Sequence, residues 1–161
     1  MGGSLNLADS ARPSDPPVFG ERLAGVDYRL RPSAYCVLEN GEGEIATVLT
    51  PLGLYLPGGG IEAGETPEEA IVREAREEAG LLIRPAGEIA RVTQFSYSPT
   101  EGCYFEKPIV FLRGEIEGQT TPSEPDHELL WQPLATAARG MAPESHGWVL
   151  GLLRRSERWK K

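Results

Sequence analysis

Cysteine is scarce in this sequence. There are two in 161 residues, Cys36 and Cys103, and no C-x-x-C pair. That excludes a disulfide-stapled scaffold and a thiolate zinc site of ordinary spacing. Both cysteines lie where apolar residues alternate, so both are expected to be buried thiols. Apolar runs are short too, and none approaches the ~18 residues that a membrane-spanning helix needs. Basic residues are in deficit, with 16 Lys and Arg against 24 Asp and Glu and a net charge of -8. A protein held on a nucleic acid polymer, or on an anionic membrane surface, needs the opposite balance. No Gly-Lys-Ser/Thr follows a glycine-rich stretch, which excludes a P-loop, and the D-x-D-x-D-G spacing of an EF-hand is missing. The first residues have neither the basic start nor the apolar core of a secretory signal, so the cytoplasm is the expected location.

What is present suits one globular domain, with 40% hydrophobic and 25% charged residues. Residues 1–17, rich in Gly, Ser, Asp and Pro, read as a disordered tail, and residues 18–161 as the single domain. Residues 28–39 and 44–50 read as strands of one hairpin turning at 40–43. A third strand is expected at 52–56, ended by Pro57 and three glycines. Two longer strands follow at 89–97 and 104–117 around a turn at 99–102, and a short one at 129–133. Helical signals are few: 67–79, 145 to about 159, and a possible turn at 134–139. This order predicts an α+β chain, an α/β/α sandwich around a mixed sheet.

The informative stretch is LPGGGIEAGETPEEAIVREAREEAGL, residues 56–81. Thr66 is a good N-cap, Pro67 fits the first helical position, and Glu69 completes a capping box. Gly80 is a natural stop. At about 100° per residue, Glu78 lies near 40° and Glu77 near 300° from Glu74, so the three carboxylates share one arc. Ile71, Val72, Ala75 and Ala79 form a separate apolar stripe, and small Ala70 sits among the glutamates. Like charges at these spacings repel, and a multivalent cation removes the repulsion. Carboxylate oxygens are the donors that Mg²⁺ and Mn²⁺ prefer. Ahead of the helix, Gly58, Gly59 and Gly60 permit close approach of backbone N–H groups to a phosphate. A solvated acidic face and a plain strand-to-helix turn are the alternatives for these two features.

The stretch resembles the signature of the Nudix hydrolases: Gly, five residues, Glu, seven residues, then Arg-Glu-aliphatic-x-Glu-Glu-x-Gly-aliphatic. Here these are Gly59, Glu65, Arg73, Glu74, Ala75, Glu77, Glu78, Gly80 and Leu81. Ala75 is smaller than the family's usual residue, which bears on packing. Glu128-x-x-Trp131 downstream is also similar to the family. The resemblance implies a Nudix fold with the acidic catalytic helix at its centre. It further implies a Mg²⁺- or Mn²⁺-dependent hydrolase of nucleoside diphosphates linked to a group X. Glu74, Glu77 and Glu78 would be metal ligands and Arg73 and Glu65 orienting residues. Glu74 or an outside carboxylate, Glu128 with Glu124 behind it, would be the general base. Gly58, Gly59 and Gly60 would form the phosphate loop.

Phe95, Tyr97 and Tyr104 are the candidates for stacking on the base or X group, with Phe105 and Trp131 beside them. A Tyr after the motif goes with dinucleoside polyphosphates in the family and a Pro with ADP-ribose. Tyr97 and Pro99 supply both. A small nucleotide such as ADP-ribose or a nucleotide sugar is the expected substrate. Oxidised nucleoside triphosphates, dinucleoside polyphosphates and a silent nucleotide-binding module are the alternatives. The last helix reads as packing against the sheet or as a homodimer contact. His127 reads as a surface residue.

Overall fold

The computed structural model describes residues 15–156. Most of the expected tail therefore lies outside the described residues, as does the expected helix end near Trp159. β3 (Ser33–Leu38) explains the architecture, because every one of its residues is buried. A strand buried on both faces must be central and covered twice. Ala34, Cys36 and Leu38 join one core cluster with Ala70, Ile71, Ala75 and Ala79 of α1 (Pro67–Ala79). Tyr35 and Val37 join the other with Ala137 of α2 (Leu134–Gly140) and Val149, Leu150 and Leu153 of α3 (Glu144–Arg155). Alternation along one strand thus produces the α/β/α sandwich.

The larger sheet contains β1 (Val18–Phe19), β7 (Leu81–Ser98), β8 (Cys103–Gln119), β3 and β6 (Gly58–Gly60) in that order. β2 (Tyr28–Leu30) pairs with β8 alongside β3. The sheet is mixed: the β7–β8 and β3–β6 pairings are antiparallel, while β1, β2 and β3 run parallel to their partners β7, β8 and β8. A second sheet joins β5 (Gly53–Tyr55), β4 (Glu44–Thr50) and β9 (Glu128–Pro133).

Four expectations need correction. The 28–39 segment is two strands, broken at Arg31 and Pro32, and β3 does not form a hairpin with β4. The Asn40 side-chain carbonyl accepts from the N–H groups of Glu42 and Glu44 and turns the chain out of the large sheet. Only a single bridge, Glu39 to Ile45, joins the two strands, and β4 pairs with β9 instead. The three glycines form a strand on β3 rather than a loop. The 134–139 turn is a helix. Cys103 is half-buried, while Cys36 is buried as expected.

α1 has the predicted bounds and the predicted capping box, and Gly80 closes it in the left-handed conformation. Ile71, Ala75 and Ala79 of the expected apolar stripe are buried, but the buried face is shifted from the one predicted. Val72 is exposed, whereas Ala70 is fully buried and Glu78 nearly so. The helix has rolled so that part of its acidic face meets the sheet.

α3 begins under a buried histidine. His146 packs against Tyr35, Tyr55 and Phe111, and its Nδ1 accepts the Leu56 N–H at 3.2 Å. Burial pushes the ring down to about 3 from its ordinary value. The unfolded chain therefore binds the extra proton between about pH 6.5 and 3, so stability falls as pH falls through that window. His146→Gln should flatten this slope in urea unfolding measured from pH 7 to 4. An unchanged slope would sink the assignment.

Candidate functional site

Four elements deliver the site. α1 brings Arg73, Glu74, Glu77 and Glu78, and β6 brings the glycines. The 61–66 loop brings Glu65, and the segment before β9 brings Glu124, Asp126 and His127. Gly58 has φ +148°, and a Cβ there would meet the Ala34 carbonyl oxygen at 2.2 Å. No side chain fits this approach of β6 to β3. A Cβ on Gly59 would stand 2.9 Å from Glu74 Oε1, so the glycine leaves room for the carboxylate.

Glu78 lies beneath this strand. Its Oε1 accepts the Gly58 N–H at 2.8 Å, and its Oε2 stands 3.4 Å from His127 Nε2. Burial drives its carboxyl up to about 8, against the pull of the Gly58 N–H, and the charges of Glu74 and Glu124 add to the rise. Glu74 is also raised, chiefly by burial. Arg73 opposes this with a hydrogen bond from Nη1 to Glu74 Oε1 at 2.9 Å. Arg73 grips Glu65 through two parallel bonds, at 2.8 and 2.9 Å, and reaches the Gly60 carbonyl at 3.1 Å. Those bonds hold the Glu65 carboxyl down to about 2.

The predicted residues do not all converge. Glu74, Glu78, Arg73 and Glu65 form one network, and Glu77 joins it through Arg73 at 3.4 Å. Glu124 is the outside carboxylate whose charge acts on both Glu74 and Glu78. Glu128 is exposed and sits in register with Leu49 at the start of β9. Of these two candidates, Glu124 is the one whose charge reaches Glu74 and Glu78. Gly58 spends its N–H on Glu78, so this glycine positions a carboxylate rather than a phosphate. His127 is half-buried between Asp126, at 2.8 Å, and Glu78.

Beside Glu78 opens a cleft of about 430 Å³ bordered by Arg31, Tyr35, Tyr55, Phe105, Lys107 and His127. Gly58, Gly59, Gly60 and Glu78 form its floor. A neighbouring cavity of about 480 Å³ shares Tyr35, Leu52, Tyr55, Ser98 and Lys107 with it. Phe95 and Tyr97 border this second lobe, and Tyr104 borders neither. Tyr104 stacks instead on Tyr97 and Tyr28. Trp131 packs against the α1 core cluster. Sequence reasoning missed Arg31, Lys107, Asp126 and Tyr55. Lys107 had left a signal, a cation on the apolar side of an alternating strand.

The donor set suits a hard divalent cation. Glu78 is a buried carboxylate that feels the charges of Glu74 and Glu124, Arg73 bonds Glu74 and Glu77, and oxygen is the only donor type that the glutamates of α1 offer here. Glu74, Glu77 and Glu78, with Glu124, are the residues that would hold the ion. Among the described residues, the ligand atoms that lie within 4.8 Å of one another are those of a different set, Glu124, Asp126 and His127. Among the described residues, no helix is long and apolar enough to cross a membrane.

A model of the NUDIX domain matches residues 29–150. The chain is 44% identical over 54 residues to an RNA pyrophosphohydrolase of Acinetobacter baylyi, a match that spans 32% of this chain and 32% of that protein. It thus aligns with only about a third of that relative's length. Among solved structures, the MutT protein of Methanosarcina mazei superposes with a TM-score of 0.66 at 19% identity, covering 85% of this chain and all of that one. An ADP-ribose pyrophosphatase of Streptococcus suis superposes with a TM-score of 0.56 at 18% identity, over 81% of this chain and 96% of that one. At these identities the structural likeness is one of fold.

Proposed function

The chain belongs to the Nudix family, and on that premise we propose that it is a divalent-metal-dependent pyrophosphohydrolase. Its substrate is a nucleoside diphosphate linked to a second group, ADP-ribose or a nucleotide sugar, met in the cytoplasm. The observation that carries this reading is buried Glu78, held by the Gly58 N–H on the floor of the cleft, with half-buried Glu74 held next to it by Arg73. Bound Mg²⁺ or Mn²⁺ would neutralise phosphoryl oxygens and acidify a water. The protein's share is positioning. Arg73 fixes Glu74, the Gly58 N–H fixes Glu78, and Glu124 is the outside carboxylate placed to accept a proton, with Glu74 as the other candidate. Tyr35, Tyr55, Phe95 and Tyr97 offer the nucleoside an aromatic lobe.

The relatives suggest which substrates to compete. One is named for ADP-ribose and another for RNA, and oxidised triphosphates stand as the alternative within the family. A hydrolysis panel with Mg²⁺ should cover ADP-ribose, nucleotide sugars, NADH, dinucleoside polyphosphates, normal and oxidised triphosphates, and a 5′-triphosphorylated RNA. Ion-exchange chromatography of the products identifies the bond cut. AMP plus ribose phosphate from ADP-ribose is the expected result. Pyrophosphate release from a triphosphate as the main turnover would replace this substrate, and silence across the panel would replace the hydrolase with a binding module.

A further inference from the structure

β8 carries a charge where its pattern asks for an apolar residue. Phe105, Lys107, Ile109 and Phe111 alternate along one face, and the other three are buried. The Lys107 ammonium stands 5.7 Å from the centre of the Phe105 ring, and the Arg31 guanidinium stands 5.0 Å from the same ring. The backbone sets this pairing, because the Arg31 N–H donates to the Glu106 carbonyl at 2.9 Å. Gly60 permits it, since a Cβ there would lie 2.9 Å from Arg31 Nε.

Two cations so placed repel each other. Burial first, and then the charge of Arg31, pull the Lys107 ammonium below its ordinary pKa. Arg31 is paired with Glu101 at 2.8 Å, but both side chains are more than 40% exposed, and such a pair is weak and easily exchanged. The Lys107 ammonium makes no hydrogen bond or ion pair with a side chain among the described residues. A half-buried cation beside a second cation is unfavourable in the protein alone. An anion in the cleft beside both cations is attracted to each and offsets their mutual repulsion. Lys107 borders both lobes, so it stands where a ligand crossing from one to the other must pass.

We infer that Arg31 and Lys107 form a phosphate-binding pair that receives the phosphate chain of the substrate at the junction of the two lobes. The inference takes from the proposed function only that the ligand is a nucleotide. The pair acts by binding, and it selects phosphorylated ligands over the bare nucleoside.

The test compares α,β-methylene-ADP, which cannot be cleaved at the bridge, with adenosine. Affinities are measured by calorimetry with Mg²⁺ for the full chain and for Lys107→Gln, Lys107→Arg and Arg31→Gln. Circular dichroism and melting confirm that each variant is folded. Lys107→Gln should weaken the ADP analogue about tenfold or more, the share of one charge-assisted bond, and leave adenosine unchanged. Lys107→Arg should recover most of the loss. Equal affinity of Lys107→Gln and wild type for the analogue would overturn the inference, as would equal weakening of both ligands or no binding of the analogue by wild type. A wild type that hydrolyses nothing but loses analogue affinity on Lys107→Gln would overturn the hydrolase reading and leave the pair standing.

Discussion

Replacing Glu78 with Gln should reduce Mg²⁺-dependent hydrolysis by at least about 10²-fold, the loss that corresponds to roughly 3 kcal/mol of transition-state stabilisation. The same change should leave the metal-free protein as stable as wild type, or more so above pH 8. These two effects have one cause. Glu78 is a buried carboxylate whose folded pKa is raised to about 8 from an ordinary 4.5. The folded chain thus holds a proton that the unfolded chain has lost, and the contribution of Glu78 to metal-free stability falls as pH rises from about 4.5 to 8. Gln is neutral throughout and keeps an oxygen for the Gly58 N–H, so the share of the slope that Glu78 contributes should be missing. Mg²⁺ should stabilise wild type at pH 8 and do little for the variant. Urea unfolding at pH 5 and pH 8, with EDTA or with Mg²⁺, separates the outcomes. A variant that stays active, or that is less stable than wild type at pH 8 in EDTA, would show that Glu78 is there for packing. Glu74→Gln should match the loss of activity.

How much of this could be read from the sequence depends on how local the cause is. Thr66, Pro67, Glu69 and Gly80 each act within a few residues, so the helix and its bounds were legible. Spacing also placed Glu74, Glu77 and Glu78 on one arc. It could not say which way the helix rolls, because that depends on the glycine strand that Glu78 supports from below. The strand pairings were the least legible. β3 lies parallel to β8 across more than seventy residues of chain, and nothing local to residues 33–38 announces it. Glu124 and His127 reach the site by the path into β9, so their place depends on a sheet whose pairing was misread. Lys107 and His146 fall between these cases. Each is a polar residue in an apolar pattern, which marks it as unusual without naming its partner.

Arg73 is where the motif and the fold meet, and its removal should damage both stability and rate. Its guanidinium spends Nε and Nη2 on Glu65, a further Nη2 bond on the Gly60 carbonyl, and Nη1 on Glu74 and Glu77. One planar fork thus ties the loop, the glycine strand and the metal-side carboxylates together. Arg73→Met leaves Glu65, only 13% exposed, without its cation and removes the charge that opposes the rise of Glu74. We expect a loss of about 2–3 kcal/mol in stability, the scale of charged hydrogen bonds left unmade, and a fall in kcat of roughly 10- to 100-fold as Glu74 leaves its place. Acid unfolding provides a specific signature. The stability that Glu65 contributes is present above pH 4.5 and is lost as pH falls toward about 2, and that loss should be missing in the Met variant. Arg73→Lys decides whether shape or charge matters. A single ammonium cannot hold Glu65 at two points and still reach Glu74, so Lys should restore little of the rate. Wild-type rate and stability in Arg73→Lys would mean that the fork's geometry is irrelevant and that any cation at this position suffices.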